Sequence, residues 1–91
     1  MIAVVMPVYN GESFIVESVS SILRQQDALV HLFIVDDGST DETLARLTKI
    51  RDTRVTLLKQ SNKGVACARN HALKHLLNLD KCLTILLLKC L

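Results

Sequence analysis

Two hydrophobic periods alternate along the chain, and that alternation restricts its fold more than any other feature. Ile2-Ala3-Val4-Val5-Met6 is a continuous apolar run stopped by Pro7, and Leu32-Phe33-Ile34-Val35 is a second. Such short unbroken runs suit strands buried on both faces. Between them, Glu12 to Gln26 carries Ile15, Val19, Ile22 and Leu23 at i, i+4, i+7 and i+8, the apolar stripe of a helix. A second helix is expected after Asp36-Asp37-Gly38. Leu44, Leu47 and Ile50 form its buried side, and Ser39 and Glu42 have the spacing of a capping box. A third strand is expected over Arg54 to Lys59. A third helix is expected over Val65 to Leu77, with Val65, Ala68, Ala72, Leu73 and Leu76 on one stripe. The order βαβαβα implies a parallel sheet of at least three strands with right-handed crossovers. The fold class is therefore α/β, a three-layer sandwich.

Parallel sheets of this kind bind ligands beyond the carboxyl ends of their strands. Here those ends carry Pro7-Val8-Tyr9-Asn10, Asp36-Asp37-Gly38-Ser39 and Ser61-Asn62-Lys63-Gly64, so polar and aromatic residues gather on one edge. Alternation along a strand sends the side chains of Asp36 and Asp37 to opposite faces. That argues against a paired-carboxylate catalytic site and for one structural acid beside one ligand contact. The plainer reading, that both acids cap the following helix, has about even weight. Tyr9 offers a face for stacking on a nucleobase, or simply packs over the sheet edge. Asn62 and Lys63 suit phosphate or ribose, or form an ordinary turn. Arg69, one turn into the third helix, suits a diphosphate, or is a solvated surface residue. His71 and His75 are spaced i, i+4, but no H-E-x-x-H pattern joins them. Surface histidines outweigh a metal pair by about nine to one.

Several classes are excluded. The first turn holds one glycine where a dinucleotide fold needs G-x-G-x-x-G. There is no phosphate-loop pattern and no G-x-S-x-G elbow. A formal charge of +2 without a basic run argues against nucleic acid as a partner. Cys67, Cys82 and Cys90 make an odd count without C-x-x-C spacing, which fits reduced thiols in the cytoplasm. The amino terminus lacks a basic secretory n-region. The apolar tail Leu83 to Leu91 is far shorter than the roughly 20 residues of a membrane span. A cytoplasmic location is expected, with peripheral membrane contact left open.

Three segments, taken in order, resemble the amino-terminal half of the family 2 glycosyltransferases, the large GT-A group that uses nucleotide-diphosphate sugars. They are Val5-Met6-Pro7-Val8-Tyr9-Asn10-Gly11-Glu12 with Ser18 to Gln25, then Phe33-Ile34-Val35-Asp36-Asp37-Gly38-Ser39-Thr40-Asp41, then Asn62-Lys63-Gly64-Val65 with Ala68-Arg69-Asn70. The resemblance covers residues 1–75. It implies a nucleotide-sugar donor, a uridine diphosphate sugar foremost, and a saccharide or other acceptor. It further implies that Pro7 to Tyr9 cradle the base, that Asp37 accepts from the base edge with Asp36 as its structural partner or as an aid near the ribose, and that Asn62 and Arg69 lie beside the nucleotide and its diphosphate. The family also implies Mn²⁺ or Mg²⁺ held by a D-x-D motif on a fourth strand. After His75 the chain departs from that pattern. Residues 76–91 hold Asp80 as their only acid and no D-x-D, so no metal ligand and no catalytic residue is assigned. A truncated or frameshifted product is expected, its tail supplying either a fourth strand or a small apolar helix. Open sheet edges make self-association an expectation as well. The rival readings are a nucleotide-binding module without turnover, and an α/β interaction domain that binds no nucleotide.

Overall fold

A computed structural model of the chain describes residues 2–25, 30–79 and 84–87. The elements run β1 (Ile2–Val8), α1 (Ile15–Gln25), β2 (Val30–Asp37), α2 (Thr43–Leu47), β3 (Val55–Gln60), α3 (Val65–Leu79) and β4 (Thr84–Leu87). All strands are parallel, in the order β3-β2-β1-β4. The expected βαβαβα order therefore holds, and of the two forms expected for the tail, the strand is the one adopted. Asp80, Cys82 and Cys90 lie outside the described residues.

Registers are regular: Ile2 pairs with Val30, and Leu32 with Val55. β4 runs beside the other edge of β1, from Ile2 opposite Thr84 to Val5 opposite Leu87. Pro7 does not stop β1, contrary to the sequence reading. Pairing with β2 continues through Pro7 opposite Val35 to Val8 opposite Asp36. Pro7 lies past the last residue that β4 covers.

Two cores flank the sheet. On one face Val4, Met6, Val8, Val30, Leu32 and Ile34 meet Ile15 and Val19 of α1 and Leu47 of α2. On the other face Ala3, Val5, Phe33 and Val35 meet Ala68, Ala72 and Leu76 of α3. These are the three layers of the sandwich. Period-2 alternation along β1 and β2 divides the residues between them. The two alanines of α3 admit the bulk of Phe33, which is fully buried. Burying side chains such as Phe33, Leu32 and Ile34 stabilises the fold by about 1.5–3 kcal/mol each. His31 shares the α3 face, its ring 4.6 Å from that of Phe33, and His75 closes on the same phenyl at 5.8 Å.

α1 begins at Ile15, three residues later than the expected start at Glu12. A turn precedes it, with the Phe14 and Ile15 amides donating to the Gly11 carbonyl at 3.1 and 2.8 Å. Glu12 is drawn out of the helix by contacts with the loop after β2. Below the sheet, Arg54 pairs with Asp52 at 2.9 Å and donates to the Leu23 carbonyl at 3.2 Å.

Candidate functional site

The alternation that divides the core also divides the acids. Even-numbered β2 residues face α1 and α2, and odd-numbered ones face α3. Asp36 therefore turns towards the α2 side and Asp37 towards the α3 side, and both are buried.

Asp36 accepts from the Ser39 amide at 3.3 Å and from the Ser39 hydroxyl. It closes the turn at Gly38 rather than capping a helix. The expected capping box does not form. The Ser39 hydroxyl is committed to Asp36 and also accepts from the Asn10 amide at 2.9 Å. Glu42 precedes α2 without a side-chain cap. Asp41 takes that place, its Oδ1 accepting from the Thr43 amide at 2.9 Å and from the Thr43 hydroxyl. Those two bonds with Thr43, and one from the Glu12 amide, outweigh desolvation and hold the Asp41 carboxyl below the ordinary aspartate range.

Asp37 ties β2 to the loop after β3. Its Oδ1 accepts from the Lys63 amide and from Gln60 Nε2, both at 2.8 Å, and its Oδ2 accepts from the Gly64 amide at 3.0 Å. Asn62 Nδ2 donates to the Asp37 carbonyl at 3.1 Å. Desolvation alone would raise the Asp37 carboxyl. The Lys63 amide, the Gln60 amide and the Gly64 amide together reverse that and hold it low. A carboxylate offers about four lone-pair directions, and three are used. One remains on Oδ2.

A second set of bonds clamps the loop after β1 to the loop after β2. Asn10 has a positive φ of 50°. Its Oδ1 accepts from the Thr40 amide at 2.8 Å. The Gly11 amide donates to the Thr43 hydroxyl at 2.8 Å, and the Glu42 amide to Glu12 at 3.2 Å. Arg46 reaches back to the Glu12 carbonyl at 2.8 Å. The clamp fixes the backbone that carries Tyr9, whose side chain is exposed. Sequence reasoning did not single out Asn10, Asp41, Thr43 or Gln60 as parts of this site. The signal was present in Asn10-Gly11 and Asp41-Glu42-Thr43, because Asn tolerates positive φ and Asp bonds an amide two residues on.

Arg69 lies on α3, the helix that follows the loop held by Asp37. Its Nε is buried with no hydrogen-bond partner among the described residues, and buried polar groups are seldom left so. Pro7 is buried at the carboxyl end of β1, and Asn62 is exposed beside Gly38. The fold thus brings Pro7, Tyr9, Asp36, Asp37 and Asn62 to the sheet's carboxyl edge, with Arg69 on the adjoining helix. His71 and His75 are half-buried and engage different partners, Gln60 for the first and Phe33 for the second.

The metal implied by the family resemblance does not fit this donor set. The carboxylates of Asp36, Asp37 and Asp41 are all engaged by protein donors. Among the described residues, no three His, Cys, Asp or Glu side chains come together as a metal site. No helix among those residues is long and apolar enough to cross a membrane.

A parallel three-layer sandwich with a polar carboxyl edge is an α/β architecture that places ligands beyond the ends of its strands. The family model "Glycosyl transferase family 2" matches residues 3–78, and the chain belongs to that family. It is 41 % identical over 76 residues to the Escherichia coli UDP-Glc:alpha-D-GlcNAc-diphosphoundecaprenol beta-1,3-glucosyltransferase WfgD, covering 82 % of this chain and 30 % of that protein. It is 34 % identical to the uncharacterized glycosyltransferase EpsJ of Bacillus subtilis, over 81 % of this chain and 22 % of the relative. It is 37 % identical to chondroitin synthase of Escherichia coli, over 81 % and 11 %. The chain thus spans less than a third of the length of these curated relatives.

Proposed function

We propose that this chain supplies the nucleotide-binding half of a glycosyltransferase that takes its sugar from a nucleoside diphosphate donor. The reading rests above all on Arg69, whose buried Nε has no hydrogen-bond partner among the described residues. A diphosphate oxygen would satisfy it. Tyr9 and Pro7 would form the wall against the base, with Tyr9 held by the Asn10 clamp. Asp37 would take a base N–H on the free lone pair of Oδ2, while Asp36 shapes the turn beneath. Asn62 would lie beside the ribose. A uridine nucleotide is the favoured donor, since an imide N–H suits a carboxylate acceptor and a relative's name specifies UDP-Glc. The acceptor is a saccharide or another hydroxyl-bearing molecule.

The reaction is displacement at the anomeric carbon, in which the acceptor hydroxyl forms the new bond and the nucleoside diphosphate leaves. The residues described here bind and orient the donor, and no described residue is assigned as the base. A location in the cytoplasm is proposed, in keeping with the exposed, free Cys67.

The test is calorimetric titration of the chain with UDP, with and without Mn²⁺, beside Arg69→Ala. Metal-independent binding that weakens about tenfold or more in the variant supports the reading. Equal affinity of both proteins, or no binding by a folded chain, refutes it.

A further inference from the structure

A groove of about 370 Å³ runs along the outer flank of the molecule, between the edge strand β3 and α3. It is lined by Gln60, Lys63, Cys67, Asn70, His71 and Lys74. Its volume falls within the range of small-molecule sites, roughly 300–1,000 Å³. No acidic residue is among those lining it, and neither is an arginine. Cys67, His71 and Lys74 are placed on one side of α3 by helical spacing, four and three residues apart, and Lys63 stands in the loop that leads into the helix.

The hydrogen bonds at its inner wall settle how it is wired. Gln60 donates through Nε2 to Asp37 at 2.8 Å, so its Oε1 is the atom left for His71 Nδ1 at 3.2 Å. A carbonyl oxygen only accepts, so Nδ1 carries the proton and donates. The Nε2 of His71 is then the ring nitrogen open to a ligand. The amide of Asn70 and two ammonium groups complete the lining.

We infer that this groove is a binding site for a soluble phosphoryl-bearing anion, outside the strand-end cluster around Asp37 and Arg69. Two point-charge ammonium groups without a guanidinium suit a non-planar, multiply charged phosphoryl group. A planar carboxylate favours the arginine fork that the groove lacks. Lys63 and Lys74 supply the charge and the Asn70 amide donates, while Nε2 of His71 accepts from a hydroxyl of the ligand. The assignment does not depend on the nucleotide reading, because the two sites share no ligand-facing side chain.

Cys67 provides a reporter within the groove, since its thiol is exposed and free. The experiment measures alkylation of Cys67 by iodoacetamide, resolved by peptide mass spectrometry, against increasing inorganic pyrophosphate. Saturable slowing by about fivefold or more is expected. Lys74→Glu should weaken that protection about tenfold, and Lys74→Gln should do so to a smaller degree. Lys74 is exposed and outside both cores, so neither variant threatens folding. Arg69→Ala should leave protection intact. Absence of protection would overturn the assignment, as would protection lost in Arg69→Ala but unchanged in both Lys74 variants. Protection by phosphatidylglycerol vesicles but not by pyrophosphate would overturn the soluble ligand.

Discussion

Gly38 and Gly64 have nearly the same backbone freedom and different surroundings, which allows two effects to be separated. Their φ values are +73° and +94°, where an alanine is strained by about 1–2 kcal/mol. At Gly64 an added Cβ meets nothing within 4 Å. At Gly38 it would stand 2.5 Å from the Asn62 backbone nitrogen and 3.1 Å from the Asn62 Cα. Backbone cannot rotate away as a side-chain tip can, so the loop after β3 must move. That loop carries the Asn62, Lys63 and Gly64 donors to Asp37. Weakening two of these bonds adds about 2–3 kcal/mol. Gly64→Ala should therefore destabilise by about 1 kcal/mol, and Gly38→Ala by about 3–4 kcal/mol. A chain of this length has about 5–14 kcal/mol in all. With a urea slope of about 1 kcal/mol/M, the midpoints should fall by about 1 M and about 3 M. Circular dichroism during urea titration reads both. Equal shifts in the two variants, with unchanged slopes, would show that β2 does not approach the loop this closely.

Two further outcomes follow from the same contacts. Thr43→Val keeps the side-chain shape but strands the Gly11 amide, a buried donor that Thr43 alone satisfies among the bonds described. A loss of about 1–3 kcal/mol is expected in urea unfolding, and a neutral result would remove the clamp. The pH dependence should fall in two steps towards acid. Burial and the neighbouring His75 lower the proton affinity of His31 in the folded chain, so the unfolded chain takes its proton first, and stability declines below about pH 6.5. The depressed Asp37 and Asp41 carboxyls act in the same direction. Their contribution is present above about pH 3.9 and is lost as pH falls towards the lower folded-state values. Urea midpoints measured from pH 7.5 to 3 test this, and a midpoint that rises between pH 7 and 5.5 would contradict it.

The layers were readable in the sequence because burial writes a period into it. The run Leu32 to Val35 is apolar on every residue, and the strand it marks is covered on both faces. Alternation alone sent Asp36 and Asp37 apart, as the structure does. The capping box does not form because Ser39 and Glu42 have the correct spacing but other groups take them, Asp36 nearby and Asn10 and Glu12 from a distant segment. Local pattern cannot register a competitor some thirty residues away in sequence. The same limit hid Gln60, an unremarkable strand-end residue until β3 lies beside β2. It also hid the true start of α1, because an apolar stripe records which face is buried and not where the first helical turn closes.

The strand order carries a consequence for how the chain is assembled. β1 precedes β2, β3 and β4 in the sequence, yet it lies inside the sheet, with Ile2 opposite Thr84. Its other neighbour, β2, is available after some thirty residues. One side of β1 must therefore wait, its backbone N–H and C=O groups unpaired, until β4 is made. Such distant parallel pairing is slow to form and prone to wrong partners. During that interval, the edge of β1 is where another nascent chain would add a strand and where a chaperone would bind.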